Sequence, residues 1–121
     1  MKYDDNNIFA QIINGTISCK KVFEDQYTFS FHDIMPQAPI HILVVPKQKY
    51  ISLDDFSKTA SDAEIVSMTR AIGLISRDFD LDVSGYRMIA NHGSDAHQEV
   101  LHYHVHVLGG KNLGGILKNF Q

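Results

Sequence analysis

Three histidines stand at alternate positions near the C-terminal end of the chain, at His102, His104 and His106. Successive side chains of an extended strand point to opposite faces of a sheet, so residues at alternate positions share one face. The sequence from Val100 to Leu108 therefore predicts a strand with three imidazole rings on one face. The residues that alternate with the histidines are expected to point into the core, and they are Tyr103, Val105 and Val107.

Packing alone does not explain three adjacent imidazoles, because up to six ring nitrogens then need hydrogen-bond partners or water. Zinc binding is one alternative. At a rise of about 3.3 Å per residue, the Cα atoms of His102 and His106 are about 13 Å apart, too far for three rings to share one ion without strain. Two of the rings could bind zinc with a ligand from elsewhere, but no carboxylate or thiol stands beside the pair. We expect no required cofactor, and we expect any bound zinc not to be catalytic.

Nucleophilic catalysis is the other interpretation of the three rings. A neutral imidazole is a competent nucleophile when one ring nitrogen is unprotonated and directed at the substrate. Repulsion between like charges opposes the simultaneous protonation of neighbouring imidazoles. His104 is flanked on both sides and is the predicted nucleophile. Its neighbours can hold its tautomer, donate to phosphoryl oxygens or protonate a leaving group.

A polar loop before the predicted strand has residues suited to a phosphate group. Gly93 permits close approach of the backbone, and Ser94, Gln98 and nearby N–H groups are candidate donors. The Gly-Ser-Asp sequence is by itself ordinary turn chemistry. Its position directly before the histidines favours a phosphate site.

The rest of the chain predicts an α+β fold. Asn6 or Asn7 can cap a short helix that ends at Gly15, and Ser61 with Glu64 forms a capping box for one long helix. An apolar stripe for the core follows at helical spacing, formed by Ile65, Met68, Ile72, Ile75 and Phe79. Apolar alternation and turn signals predict further short strands near residues 22–24, 27–31, 40–45 and 86–90. About five strands in an antiparallel sheet, with one long and one short helix, are therefore expected.

Length and composition limit the function classes. With 121 residues and 44% hydrophobic content, the chain is expected to form a single domain (1–121), with its core in 6–110 and a tail in 111–121. The net charge is −3 and no basic cluster is present, so nucleic acid is not an expected partner. No apolar run is long enough to cross a membrane, and the start of the chain does not have the pattern of a signal peptide. Cys19 is the lone cysteine, and we expect a cytoplasmic protein without a catalytic thiol.

The motif from His102 to Leu108 resembles the signature of the histidine-triad (HIT) superfamily, His-φ-His-φ-His-φ-φ with φ apolar, with Tyr103 as the one amphipathic φ residue. The resemblance extends beyond the triad to the flanking blocks of the Hint branch, the histidine-triad nucleotide-binding proteins. The upstream block includes Phe31-His32-Asp33-Ile34, His41 and Val44-Val45-Pro46-Lys47. The downstream block runs from Gly85 through Asn91 and includes Gln98-Glu99-Val100. The similarity covers roughly residues 6–110.

The resemblance implies hydrolysis of nucleoside phosphoramidates or acyl-nucleotidates through a nucleotidyl-histidine intermediate, without a required metal. It also implies a homodimer with a sheet that continues across the two subunits. By motif position, His104 is the nucleophile, His102 orients it, and His106 and His41 contact or support the phosphate. Asp33 corresponds to the acceptor of the ribose hydroxyls. The other implied nucleotide contacts are the apolar purine pocket (Ile8, Phe9, Ile12, Phe31 and Ile34) and the phosphate loop (Asn91, Gln98 and Glu99).

Several positions depart from the family pattern or fall outside it. Glu99 stands where some Hint proteins have a serine that donates to the phosphate, so its backbone N–H is expected to replace that donor. His92 and His97 match no triad position and are expected at the surface, and His32 is expected to have a structural role. The chain lacks the aromatic-proline ending of some relatives, which leaves the leaving group open. A nucleotide-binding scaffold protein and a dinucleoside polyphosphate hydrolase remain alternative functions.

Overall fold

The computed structural model describes residues 1–117, and its centre is a five-stranded antiparallel sheet. The strands lie in the order β1-β2-β3-β5-β4, so the last strand of the chain is inserted between β3 and β4. This arrangement confirms the predicted α+β class with about five antiparallel strands. The strand bounds are β1 Lys21–Glu24, β2 Thr28–His32, β3 Ile40–Pro46, β4 Tyr86–Ile89 and β5 Val105–Gly109.

Four helices accompany the sheet: α1 (Ile8–Ile13), α2 (Leu53–Thr59), α3 (Asp62–Asp78) and α4 (Leu81–Ser84). The predicted short and long helices are α1 and α3, whereas α2 and α4 were not predicted. Helix α3 begins at the predicted capping box, because the Ser61 hydroxyl accepts from the Glu64 N–H and the Glu64 carboxylate accepts from the Ser61 N–H. Within residues 1–117, no helix combines the length and the apolar character that crossing a lipid bilayer requires.

The two faces of the sheet carry separate clusters of buried residues. Alternation along β3 sends Ile42 and Val44 to a main core with α2, α3 and α4, and it sends Leu43 and Val45 to a second cluster with α1. Three residues that alternate with the histidines belong to the main core, as predicted: Tyr103, Val105 and Val107. The predicted stripe of α3 is also confirmed for Met68, Ile72 and Ile75, whereas Ile65 at its start is partly exposed.

The predicted strand from Val100 to Leu108 is wrong in its first half. Strand β5 begins only at Val105, which pairs with Val44 of β3. Continuing this register would place Tyr103 opposite Pro46, which has no N–H to donate. Instead, the Tyr103 N–H donates to the Tyr50 carbonyl oxygen at 2.7 Å, beyond the end of β3. Only the last histidine of the three therefore lies within a strand.

The predicted tail lies next to β4 in the part that the structure describes. Arg87 of β4 donates from Nη2 to the Gly114 carbonyl oxygen at 2.8 Å. Residues 118–121 of the predicted tail lie outside the described residues.

The cap of α3 gives a test of the fold. Replacing Ser61 by alanine removes one acceptor for an N–H at the helix start, so we expect a loss of about 1 kcal/mol in the free energy of unfolding. The measurement is urea unfolding followed by circular dichroism. Ser18→Ala at an exposed position outside the helices and strands is the matched control. Equal unfolding midpoints for both variants would contradict the assigned cap.

Candidate functional site

The three histidines lie together on the side of the sheet that α1 covers. His106 is on β5 and pairs with Leu43 of the second cluster. The ring of His104 lies 5.1 Å from that of His106, measured between centroids. Phe9 of α1 contacts the other two rings edge to face, at 4.8 Å from His104 and 6.4 Å from His102. The predicted common face is therefore kept, although two of the histidines precede the strand.

His102 is the most buried member, with 1% of its surface exposed. Its Nε2 lies 2.8 Å from the carbonyl oxygen of Pro46, which can only accept, so Nε2 carries the ring proton. The other nitrogen of the neutral ring, Nδ1, is then an acceptor, and the Tyr3 hydroxyl donates to it at 2.5 Å. Both ring nitrogens are engaged inside the protein, so His102 has no nitrogen available to a substrate.

His104 differs because only one of its ring nitrogens is engaged. Nδ1 lies 2.7 Å from the carbonyl oxygen of His102 and must donate to it. The neutral ring therefore has its lone pair on Nε2, which has no hydrogen-bond partner among residues 1–117. Every fully buried side-chain nitrogen or oxygen in that part of the chain has a partner. Nε2 of His104 is therefore open to solvent, although the residue is only 8% exposed.

A hydrogen bond from His41 fixes the tautomer of His106, which is the opposite of that of His104. The backbone N–H of Gln37 donates to Nδ1 of His41 at 3.0 Å, so His41 carries its proton on Nε2. That nitrogen lies 2.9 Å from Nδ1 of His106 and donates to it. The proton of His106 is then on Nε2, which has no partner in the described part of the chain. The site thus presents a lone pair on His104 beside an N–H donor on His106.

Burial keeps these rings neutral. It lowers the pKa of His102 to about 4 and that of His106 to about 4, and in both rings the neighbouring His104 adds to the effect. Burial also lowers the pKa of His104, opposed by the hydrogen bond to the His102 carbonyl and by the Asp33 carboxylate. The pKa of His41 is lowered by burial, again opposed by Asp33. The tautomers assigned above are therefore those of the protein at neutral pH.

Asp33 stands at the edge of this group. One carboxylate oxygen accepts from the Met35 N–H, and the other lies 3.4 Å from Nε2 of His41. Asp33, His41 and His106 each offer a ligand atom within 4.8 Å of the others, so this group could hold a metal ion. Its two histidine nitrogens already share a proton in a direct hydrogen bond, and a metal ion would have to replace that proton.

The loop of residues 91–99 is shaped by its own side chains. The Gln98 side chain accepts from the Gly93 N–H and donates to the carbonyl oxygens of Ile51 and Val100, so both ends of this amide are used inside the protein. Gly93 has φ +78°, a conformation that favours glycine. The loop therefore has a fixed shape beside the histidines.

Two predicted contacts of this loop remain accessible. Glu99 is exposed and Asn91 is half-buried. Neither side chain has a hydrogen-bond partner among the described residues. The backbone N–H of Glu99 is likewise not used within residues 1–117, as the expected role of a phosphate donor requires.

The five residues of the predicted purine pocket differ in their exposure to solvent. Phe9, Ile12 and Phe31 are buried in the second cluster, where Phe9 forms the link to His104. Ile8 and Ile34 are 39% and 83% exposed and lie outside that packing. The structure thus brings a buried apolar wall to the histidines and leaves two apolar side chains accessible beside it.

Two contacts that hold the histidines of the site were missed in the sequence. Tyr3 bonds His102 across 99 positions of the chain, and the backbone of Gln37 bonds His41. His92 is exposed, as expected, and its Nδ1 lies 2.6 Å from the Ser52 hydroxyl at the start of α2. The serine and aspartate of a second capping box, Ser52 and Asp55, were a readable signal for α2. Nothing in the sequence indicated the other contacts.

Comparison with known proteins shows matches along most of the chain. The family model described as "HIT domain" matches residues 14–113. An uncharacterized 13.2 kDa HIT-like protein of Azospirillum brasilense is 50% identical over 115 residues, 95% of this chain and 94% of that protein. The uncharacterized HIT-like protein RP317 of Rickettsia prowazekii is 40% identical over 117 residues, 97% of this chain and 98% of that one.

Solved structures agree with the sequence matches. A histidine triad protein from Clostridium difficile superposes with a TM-score of 0.83 at 44% identity and covers 95% of this chain and 98% of its own. A HIT family hydrolase from Clostridium thermocellum superposes with a TM-score of 0.86 at 32% identity and covers 94% of this chain and 99% of its own.

The buried neutral histidines predict a loss of stability in mild acid. His102 and His106 have pKa values of about 4 in the folded protein and about 6.5 when unfolded, so the unfolded chain binds more protons between these values. The free energy of unfolding should therefore fall as the pH is lowered from 7 towards 5, measured by urea unfolding. His97→Gln, at an exposed position, should leave this dependence in place. A constant urea midpoint between pH 7 and pH 5 would contradict the burial of neutral histidine rings.

Proposed function

Because the chain belongs to the HIT domain family, we propose that it is a nucleotide hydrolase of the Hint branch with Nε2 of His104 as its nucleophile. The observation that carries this proposal is the pairing of an accessible lone pair on His104 with an accessible N–H on His106. The bond from His104 to the His102 carbonyl and the chain from Gln37 through His41 fix the two tautomers.

The first step is attack of His104 Nε2 on the α-phosphorus of a nucleoside phosphoramidate or an acyl-nucleotidate. A nitrogen–phosphorus bond forms while the bond to the leaving amine or carboxylate breaks. A leaving amine takes up a proton as it departs. The Nε2–H of His106 donates to a phosphoryl oxygen or delivers that proton, and the Nε2–H of His41 then protonates Nδ1 of His106. After departure of an amine, the pair of His41 and His106 holds one proton fewer until the second step.

The second step is hydrolysis of the nucleotidyl-histidine. The substituted His104 ring carries a positive charge, which is stabilised by the His102 carbonyl bonded to its Nδ1–H and by the nearby Asp33 carboxylate. Water attacks the phosphorus, the nitrogen–phosphorus bond breaks, and the electron pair returns to Nε2. The proton that the water gives up returns to the His41–His106 pair after loss of an amine, or goes to solvent after loss of a carboxylate. The nucleoside monophosphate is released, and the ring regains the neutral tautomer with which it began.

The proposed nucleotide is a purine. The apolar wall of Phe9, Ile12 and Phe31, with the accessible Ile8 and Ile34 beside it, suits a flat base. Asp33 is the proposed acceptor for the ribose hydroxyls, because its carboxylate lies beside His41. Asn91, Gln98 and Glu99 are proposed to form the loop around the phosphate, with Gln98 acting through the shape that its amide gives the loop.

The proposal includes a homodimer in the cytoplasm that needs no cofactor. Strand β4 is an edge strand, and Met88 and Ile89 on it are 54% and 37% exposed. An unpaired apolar edge is a template for pairing with a second sheet, which supports a sheet continued across two subunits. The lone Cys19 forms no internal disulfide, as is usual in a reducing compartment.

Replacing His104 tests the proposed nucleophile. His104→Ala should reduce hydrolysis of adenosine 5′-phosphoramidate at least about a thousandfold, because the attacking atom is lost. Nucleotide binding should remain measurable by calorimetry with adenosine monophosphate. Rapid quenching of the wild-type reaction should give an intact-mass increase for one adenylyl group, mapped by peptide analysis to His104.

The matched control is His32→Gln, because His32 packs against Phe79 on the opposite side of the sheet. Wild-type turnover by His104→Ala would refute the assignment. Binding of adenosine monophosphate without turnover of any phosphoramidate would favour a scaffold protein instead. Faster hydrolysis of a dinucleoside tetraphosphate than of the phosphoramidate would favour the dinucleoside polyphosphate hydrolases.

Metal removal gives a separate test. Dialysis of the enzyme against EDTA should change kcat by less than about twofold, because the proposed chemistry uses only imidazole groups. Added zinc should inhibit, since an ion between His41 and His106 replaces the proton that fixes the tautomer of His106. Asp33→Asn removes one charged ligand and should weaken this inhibition. Loss of activity on chelation, restored by zinc, would refute the metal-free mechanism.

A further inference from the structure

The N-terminal segment reaches the back of the histidine group. Tyr3 lies edge to face against His102, with 5.6 Å between the ring centroids, and its hydroxyl is 2.5 Å from Nδ1. Burial raises the pKa of Tyr3, so the hydroxyl keeps its proton at neutral pH and can donate. No other hydrogen bond among the described residues engages Nδ1 of His102.

Local contacts hold Tyr3 in this position. Asp5 forms an ion pair with Lys49 at 2.7 Å, just beyond the end of β3. The Asn7 N–H donates to the Asp4 carbonyl oxygen, and the Asn7 side chain caps α1 by accepting from the Ala10 N–H. The segment from Tyr3 to Asn7 thus connects α1 to the region behind the site.

His102 needs such a partner because it is nearly completely buried and has two ring nitrogens to satisfy. Pro46 satisfies Nε2, and without Tyr3 the lone pair of Nδ1 would have no partner in the described part of the chain. A buried polar atom without a partner favours movement of the ring or entry of water. The backbone carbonyl of the same residue accepts from Nδ1–H of His104, so a shift of His102 as a whole would change that bond.

We propose that Tyr3 is a positioning residue for the reaction: its hydroxyl holds the ring of His102, and the carbonyl of His102 in turn directs Nε2 of His104 towards the substrate. This inference rests on the proposed function. Tyr3 does not touch the reacting atoms in this proposal, and it acts only through His102. We therefore expect the Tyr3 hydroxyl to increase the rate of the chemical step and to leave nucleotide affinity unchanged.

Tyr3→Phe tests the proposal because it keeps the aromatic ring and removes only the donor. We expect kcat for adenosine 5′-phosphoramidate to fall roughly tenfold, about 1.4 kcal/mol in the activation free energy, which is the size of one net hydrogen bond. KM should stay within about twofold of the wild-type value. The imidazole ¹⁵N resonance of His102 Nδ1 should shift because that nitrogen loses its donor, while the resonance of Nε2, bonded to Pro46, should remain.

Tyr50→Phe is the matched control. It also removes a tyrosine hydroxyl bond, the one donated to Glu64 at 2.9 Å, but that bond does not involve His102. Thermal unfolding of both variants measures their losses of stability. A fall in kcat for Tyr3→Phe alone, with the shifted Nδ1 resonance, supports the positioning role. An equal fall in both variants overturns it, because lost stability then explains the rate.

Two further outcomes also overturn the proposal. One is wild-type kcat in Tyr3→Phe, whether or not the Nδ1 resonance moves. The other is an increase in KM without a change in kcat. If the wild-type protein hydrolyses no phosphoramidate, the proposed function fails, and the spectra decide the structural part separately. Unchanged resonances of His102 and His104 in Tyr3→Phe would then overturn the positioning of His104 as well.

Discussion

The hydrogen bond from Nδ1 of His104 to the backbone carbonyl of His102 is the contact on which the proposed chemistry depends. A carbonyl oxygen can only accept, so the bond requires a proton on Nδ1 and leaves the lone pair on Nε2. A backbone carbonyl does not ionise, so it holds the same tautomer of His104 at every pH at which the ring is neutral. Burial of the same ring disfavours protonation of the lone pair. This contact therefore sets the tautomer of the proposed nucleophile, and burial keeps its ring neutral.

The surrounding structure keeps that carbonyl in place. Pro46 ends the pairing of β3 and β5 because it has no N–H, and its own carbonyl then accepts from His102. Pro46 therefore both ends the pairing of β3 with β5 and anchors the ring of His102. Two histidines of the triad therefore lie outside the strand, and each donates to a backbone carbonyl oxygen.

Much of the fold could be predicted from local signals. The period-2 alternation of β2 and the capping box at Ser61 each depend on a few neighbouring residues, and both were confirmed. Helix α2 was missed although its capping box at Ser52 was readable, and α4 was missed because it has only four residues and no side-chain cap. The start of β5 was misplaced because the end of pairing depends on Pro46, which is distant in sequence.

The histidines of the candidate site could be predicted from the sequence, but the residues that hold them in place could not. The spacing of His102, His104 and His106 indicated a shared face, and motif similarity indicated His41 and Asp33. Tyr3 and the Gln37 backbone act through contacts that only the folded chain creates. Such contacts leave no periodic pattern, because each joins distant segments through one side chain.

The tautomers of the two accessible rings are set by separate routes, and this separation has a chemical consequence. His104 is fixed through His102, which is held by Pro46 and Tyr3, whereas His106 is fixed through His41, which is held by the Gln37 backbone. In the proposed reaction, His41 can replace a proton lost from His106 without breaking the hydrogen bond that places the lone pair of His104 on Nε2. The charges of the two rings still influence each other, but their tautomers are held by different hydrogen bonds. Two independent hydrogen-bond routes allow one face to present a base and an acid side by side.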